Sequence, residues 1–215
     1  TEAVLYGGTG QAKVVRPILE NQGVKVIAVF DDTPDLDQPF PDVELCSGRP
    51  AIDAWLDSNK SRLASIGFSI TIGNPHGEVR CRLHDQLAAA GLVPLQVIHP
   101  SAVIAHNAVI GAGCQIMAGA VVGAEASLGR QCIINTLASV DHECVLEEGV
   151  ELAPGAILCG LVSVGKYGWI CAGATVLPRV SIGTAAIVGA GSLVRQDVAA
   201  RDTVIGVPAH KLTRE

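Results

Sequence analysis

From Ile98 to Val194 every sixth residue is a branched aliphatic. Ile98, Ile104, Ile110 and Ile116 open the series, Ile170, Val176, Ile182, Val188 and Val194 close it, and none of the seventeen positions slips. In most hexads the residue two places earlier is small, as at Ala102, Ala108, Cys114, Ala120, Ala126, Cys132 and Ala138. A helix repeats every 3.6 residues and a strand every two, so a period of six fits neither a helix nor one long strand. It fits short strands separated by corners. Three such strands close a triangular coil of eighteen residues, with the aliphatics pointing inward and the small residues where the corner turns. Seventeen hexads then give between five and six coils.

Periodicity leaves the hand of the coil open, and parallel crossovers in general are right-handed in about 98% of cases. The hexad pattern resembles the left-handed parallel β-helix of the hexapeptide-repeat acyltransferases, and that resemblance implies the left hand. A composition of 49% hydrophobic but only 3% aromatic residues suits a prism too narrow for many rings. The net charge of -6, with no lysine and arginine run, argues against a nucleic-acid partner. It still allows small phosphorylated ligands held by backbone amides or single basic residues. No secretory n-region and no uninterrupted apolar stretch of ~18 residues is seen, so a cytoplasmic protein without a membrane partner is expected. Of the seven cysteines, Cys114, Cys132 and Cys144 occupy the small interior slot, where a thiol behaves as a small hydrophobe. Cys46, Cys81, Cys159 and Cys171 form no CxxC pair and no zinc spacing, so no metal is expected.

Roughly a hundred residues precede the repeat, enough for a small core of their own. Ala3–Tyr6 reads as a strand, Gln11–Asn21 as a helix with Val14, Val15, Ile18 and Leu19 on its apolar face, and Val24–Phe30 as a buried strand. This is a βαβ unit. Val43–Cys46 is a short strand, Ala51–Ser61 a helix presenting Ile52, Trp55 and Leu56, and Ala64–Ile72 a third main strand. Gly77–Ala90 is a helix with Val79, Leu83, Leu87 and Ala88 inward, and Val93–Val97 a last strand. Alternation of this kind implies a mainly parallel, Rossmann-like sheet. The expected architecture is an α/β N-terminal domain over residues 1–97, then the β-helix with a C-terminal tail over residues 98–215.

Gly8-Thr9-Gly10, between a strand and a helix, invites a dinucleotide reading, but Lys13 stands where the third glycine of G-x-G-x-x-G belongs. A tight turn without a ligand is one alternative. The favoured reading is a mononucleotide or sugar-nucleotide site in which amides at the helix start hold a phosphate. Gly8, Thr9, Gly10, Gln11 and Lys13, then Asp31 and Asp32, then Gly73 and Asn74, all follow C-terminal strand ends, where open α/β sheets bind ligands. A carboxylate at Asp31 or Asp32 only accepts hydrogen bonds and suits a guanine edge better than a uracil edge, although either residue can equally be a solvated turn residue.

The solenoid's polar interruption is Asn135 to Glu143. His142 lies two residues past an inward aliphatic and so faces outward. One coil is eighteen residues, which stacks Gly160 above it at about the 4.8 Å strand spacing. The glycine amide can meet a thioester carbonyl while the neutral imidazole takes a proton from an incoming amine. Asp141 or Glu143 can fix the tautomer and favour the imidazolium.

Gly7 to Val15, Asn135 to Cys144 and the closing Gly206-Val207-Pro208-Ala209 together resemble the bacterial sugar acetyltransferases of the sialic acid O-acetyltransferase and bacillosamine N-acetyltransferase type. The resemblance covers nearly the whole chain. It implies a homotrimer with acetyl-CoA as cosubstrate in the groove between neighbouring β-helices, and a nucleotide sugar held by the front domain. The acceptor it implies is the 4-amino group of a nucleotide-linked 4-amino-4,6-dideoxy sugar. His142 would be the general base and the Gly160 amide would meet the acetyl carbonyl. Coil backbone around Gly160, Ala172 and Ala190, the side chains of Glu151 and Lys166, and the tail at Val207 and Pro208 would hold the CoA, with Arg179 and Arg195 as further candidates for its phosphates. The sequence departs from the family pattern at Gln11 and Glu151, where members carry histidine.

Three rival readings use the same residues. A UDP-linked amino sugar or a sugar hydroxyl is the nearest alternative acceptor. A metal hydratase of the γ-carbonic-anhydrase kind would pair His106 with His142, two coils or about 10 Å apart on one face, but its third ligand would fall on Glu147. A non-catalytic trimeric sensor would bind sugar nucleotides without CoA.

Overall fold

The computed structural model describes residues 1–212; residues 213–215 of the expected second domain lie outside the described residues. The chain divides into two compact units, one of residues 1–73 with 82–97, the other of residues 74–81 with the chain from Ile98 onward. A cut at 97/98 would assign the segment 74–81 to the front unit, whereas its contacts group it with the coils.

In the front unit, β1 (Glu2–Tyr6), β2 (Lys25–Asp31), β3 (Glu44–Ser47), β4 (Ile66–Ile70) and β5 (Val93–Pro94) form one parallel sheet in the order β3-β2-β1-β4-β5. The helix after β1 is α1 (Gly10–Asn21) and the one after β3 is α2 (Arg49–Ser58). α1 buries Ala12, Val15, Ile18 and Leu19, while Val14, expected inward, is 45% exposed. A buried stripe centred on Val15 leaves the next position about 100° around the helix, at its edge. The strand expected over Ala64–Ile72 begins only after a 3₁₀ turn at Leu63–Ser65. The run Val93–Val97 is not one strand. Val93–Pro94 joins the front sheet, and Val97–Ile98 is the first rung of the coil, because Pro94 has no N–H with which to extend a ladder.

The helix α3 (Gly77–Ala90) has the expected bounds but a different buried face. Arg80, Cys81, Leu83, His84 and Leu87 are buried, Val79 is half-buried and Ala88 is exposed.

The second unit is a left-handed parallel β-helix. Its two-residue strands run from Val97–Ile98 to Leu193–Val194, and each pairs in parallel with the strand eighteen residues on, as Val121 with Ser139 and Ser139 with Ile157. They sort into three faces, one of six strands, one of five and one of eight including the tail. Ile116, Ile134, Val140, Leu152, Leu158, Ile170 and Val188 point inward with no exposed surface. Three residues before each inward aliphatic, from Gly113 to Gly191, the backbone is left-handed, and non-glycine residues accept this at Leu137 (φ 58°), Glu143 (56°), Leu161 (65°) and Tyr167 (61°) among others. Each such residue costs about 1–2 kcal/mol. Each inward aliphatic returns about 1.5–3 kcal/mol on burial, so the repeat tolerates the corners. Cys114, Cys132 and Cys144 are fully buried, and their thiols donate to the carbonyls of Gly129, Glu147 and Cys159.

Past Val194 the eighteen-residue step is lost. Thr203–Ile205 continues the sheet beside Ile187–Val188 in a sixteen-residue step, Ile187 facing Thr203, and His210–Lys211 folds back antiparallel. Among the described residues no helix is long and apolar enough to cross a membrane.

Candidate functional site

His142 stands on the corner between the strands Ser139–Val140 and Val145–Leu146, its side chain half exposed. Its ring Nδ1 lies 2.9 Å from Glu143 Oε2. A carboxylate only accepts, so Nδ1 carries a proton, and in the neutral ring the lone pair is on Nε2. Glu143 is the left-handed residue of this corner, with φ 56°. The other flanking carboxylate is turned to the backbone instead. Asp141 Oδ1 accepts the N–H of His142 at 2.7 Å and braces the turn. Of the two candidates, Glu143 therefore meets the ring.

Gly160 sits one coil above. The N–H of Leu161 donates to the carbonyl of His142 at 3.0 Å, and the N–H of Arg179 to the carbonyl of Gly160 at 3.1 Å. A Cβ on Gly160 would collide with Nε2 of His142 and lie 2.5 Å from its Cε1. Only glycine leaves room for the imidazole there. Among the described residues the N–H of Gly160 has no acceptor. An imidazole, a carboxylate on its Nδ1 and an unused backbone amide thus share one corner.

In the front unit the loop after β1 needs glycine twice. Gly7 has φ 110°, and a Cβ there would lie 2.6 Å from the Thr71 carbonyl oxygen; a Cβ on Gly8 would lie 2.6 Å from Leu36. Gly10 and Gly73 have open space around them. α1 starts without a side-chain cap from Thr9 and without an acidic residue in its first turn, which leaves the positive end of the helix free for an anion. Thr9, Gly10 and Lys13 are exposed there and Gln11 is half-buried.

Asp31 and Asp32 separate in role. Asp31 is 8% exposed; its Oδ2 accepts the Gly8 N–H at 2.7 Å and its Oδ1 the Thr33 N–H at 2.8 Å. It ties two loops together, and Asp32 is the exposed carboxylate of the pair. Asp32 Oδ1 accepts the Tyr6 hydroxyl at 2.8 Å. Burial, and then that carboxylate, holds the Tyr6 hydroxyl well above its ordinary range.

The residues expected around CoA are scattered. Glu151 is not on an open surface: it is 5% exposed and lies 3.3 Å from the guanidinium of Arg80, which is wholly buried and also donates to the carbonyls of Gln131 and Gly149. Burial raises the Glu151 carboxyl, while Arg80 and the Asn74 amide pull it back. Sequence reasoning misses Arg80 because it reads α3 by its apolar positions; the one available signal is a charge lying between Val79 and Leu83. Lys166 is held on another corner by Glu148, 3.0 Å away, which also accepts from Arg130 at 2.7 Å; these cations lower Glu148 to about 2. Ala172 and Ala190 are exposed one coil apart on the third corner. Val207 is 71% exposed at a cis bond to Pro208 in the tail turn. Arg179 is exposed, and Arg195 lines a pocket of about 240 Å³ with His210 and Lys211. His142 with Gly160, Lys166, and Ala172 with Ala190 thus occupy three different corners of one prism. Among the described residues no three metal-binding side chains converge.

No family model matches the chain. A GDP-perosamine N-acetyltransferase of Escherichia coli O157:H7 is 30% identical over 153 residues, 68% of each protein. Among solved structures, PerB from Caulobacter crescentus in complex with CoA and GDP-perosamine superposes with a TM-score of 0.88 at 33% identity, covering 99% of this chain and 98% of that one. The acetyltransferase domain of PglB from Neisseria gonorrhoeae FA1090 in complex with acetyl coenzyme A gives 0.85 at 28% identity, covering 98% of both chains. With fold, repeat and relatives in agreement, the chain belongs to the hexapeptide-repeat sugar N-acetyltransferase family.

Proposed function

We propose that this protein transfers the acetyl group of acetyl-CoA directly to the 4-amino group of a nucleotide-linked 4-amino-4,6-dideoxy sugar, with GDP-perosamine as the acceptor, in a ternary complex. The observation that carries the proposal is the His142 corner: Nδ1 fixed on Glu143 at 2.9 Å, Nε2 against Gly160. His142 Nε2 takes the proton of the attacking amine as the C–N bond forms, and Glu143 stabilises the imidazolium. The Gly160 N–H donates to the carbonyl oxygen of the thioester as charge builds there. The C–S bond breaks and the proton passes to the departing CoA sulfur. No acyl-enzyme is invoked, since among the described residues the His142 ring pairs with Glu143 and with no serine or cysteine; the serine that does meet an imidazole is Ser101, on His99.

The relatives support both ligands. PerB is described with CoA and GDP-perosamine together, and two further Caulobacter crescentus structures with the same ligands carry a substitution at one histidine. The front unit supplies Thr9, Gly10, Gln11 and Lys13 for phosphate, Asp32 for the base edge and Gly73 for the sugar side, and Asn74, the further candidate there, belongs to the segment that groups with the coils. The three-corner distribution of the CoA candidates supports a homotrimer in which acetyl-CoA lies between neighbouring β-helices, since one chain offers no common groove to them.

The test is release of CoA thiol from acetyl-CoA with GDP-perosamine, a UDP-linked 4-amino sugar and the matching 4-hydroxy sugar side by side. Release is expected with the GDP-linked amine, falling by about 10²–10⁴ in H142A with the KM for acetyl-CoA kept. Preferred turnover of the UDP sugar or the alcohol would refute the acceptor, and normal turnover in H142A would refute the base.

A further inference from the structure

Asp32 is the first residue past β2 and is exposed at the C-terminal edge of the front sheet, yet both of its neighbours are pinned. The Asp31 carbonyl accepts the Gly48 N–H at 2.7 Å, and the Asp31 carboxylate accepts the Gly8 and Thr33 N–H groups. The Thr33 carbonyl accepts the Ser47 hydroxyl at 2.6 Å. The backbone on either side of Asp32 is thereby fixed. Its side chain is fixed from the interior, where the Tyr6 hydroxyl donates to Oδ1 at 2.8 Å. Tyr6 is only 2% exposed, and its ring stands edge-on to Phe30 with centroids 6.1 Å apart. Phe30 in turn stands edge-on to Trp55 at 5.2 Å, and Trp55 Nε1 donates to Glu44 at 3.1 Å. Three packed rings thus carry one hydroxyl from the core of the sheet to one surface carboxylate. A phenylalanine at position 6 would fill the same space with no hydroxyl to satisfy, so the packing of β1 does not require this bond. What the bond supplies is the orientation of an exposed carboxylate.

We propose that Tyr6 is a positioning residue for the choice of nucleotide: its hydroxyl fixes the plane of the Asp32 carboxylate so that both oxygens meet the two adjacent N–H donors of a guanine. This rests on the base-edge reading of Asp32 above. The Tyr6 bond uses one lone pair of Oδ1, so both oxygens still accept. A uracil edge offers a single N–H between two carbonyl oxygens, and a carboxylate held in that plane sets one of its own oxygens against a carbonyl. A carboxylate free to rotate could instead present one oxygen and would take either base with little preference. Holding it in place lowers the ordering cost for guanine and adds a repulsive contact for uracil.

The test applies calorimetric titration with GDP and with UDP, which needs no turnover, to the wild type, Y6F, D32N and Y6F/D32N. In parallel KM and kcat are measured with GDP-perosamine, and melting temperature checks folding. GDP binding by Y6F should weaken about threefold to tenfold, the range of one hydrogen bond, while UDP binding holds, so the GDP-over-UDP ratio falls by the same factor. The KM for GDP-perosamine should rise in step, with kcat and the KM for acetyl-CoA kept. In the D32N background Y6F should add less than about twofold, because Tyr6 acts through Asp32. Equal weakening of both nucleotides in Y6F would show a structural role alone, and unchanged GDP binding no role. A loss that multiplies that of D32N would show a path that bypasses the carboxylate; each of these overturns the proposal. GDP binding unchanged in D32N would refute the base-edge reading itself, and tighter binding of UDP than GDP by the wild type would refute the guanine reading; either removes the proposal with it.

Discussion

Gly160→Ala isolates the geometry of the His142 corner. Gly160 is outside the left-handed region, so alanine meets no backbone penalty there and gains about 0.4–1 kcal/mol by restricting the unfolded chain. The cost falls on His142. A Cβ at 160 would lie 2.5 Å from Cε1 and 3.0 Å from Cδ2, and would overlap Nε2. Reaching ordinary carbon contact, about 3.5 Å or more, requires the ring to retreat by about 1 Å. A misplacement of that size costs about 10² in rate, or about 2.7 kcal/mol in activation free energy. Loss of the Nδ1–Glu143 alignment would carry it toward the 10²–10⁴ of a missing base. The assay is initial-rate release of CoA thiol by G160A, H142A and the double variant, with melting temperatures. G160A should melt within a few degrees of wild type and lose about 10² in kcat, and in the H142A background it should have almost no further effect, because both changes act through one group. A G160A enzyme within threefold of wild type, or one whose loss multiplies that of H142A, would refute the contact between ring and glycine.

Glu143→Gln keeps an acceptor for Nδ1 but removes the charge that favours the imidazolium, so kcat should fall at least about tenfold. Asp141→Asn preserves the bond to the His142 N–H and should stay within about threefold, the range of one weakened hydrogen bond; equal losses in the two would reverse the assignment. R80M strands Glu151 in the interior and should cost about 3–5 kcal/mol in urea unfolding, most of it recovered in R80M/E151L. Full stability in R80M alone would contradict the burial. Glu148 is lowered from its ordinary value of 4.5 to about 2 by Arg130 and Lys166. Its contribution is therefore complete above about pH 4.5 and lost as pH falls toward 2. The full shift corresponds to about 3 kcal/mol; half-exposed Lys166 reduces this to about 1–2 kcal/mol. E148Q should lower stability at pH 7 by that amount and flatten the acid limb between pH 5 and 2; an unchanged acid limb would show the ladder to be inert.

The hexad series by itself determined the coil. An inward aliphatic every six residues has one economical burial, and the eighteen-residue turn that follows is arithmetic, so the stacking of Gly160 on His142 was legible before any coordinates. The βαβ order of the front unit and the glycine turn after its first strand were legible for the same kind of reason, since hydrophobic period and glycine placement are local. Tertiary structure decided the rest. Eight non-glycine corners between Glu125 and Ala185 adopt a left-handed backbone that their intrinsic preference opposes, because packing of the next aliphatic outweighs it. Asp31 became a brace and Asp32 the exposed carboxylate only once the Gly8 and Thr33 amides were brought together across twenty-three residues and two residues of chain. Arg80 found acceptors at Gln131 and Gly149, one coil apart, which are adjacent only when the coil is wound. Glu143 rather than Asp141 met the imidazole because one residue at the corner turns left-handed and its neighbour spends its carboxylate on the backbone. Periodicity reports what repeats along the chain, whereas the pairing of a polar side chain depends on which donors and acceptors folding leaves within about three ångströms of it, and that is a property of the assembled structure alone.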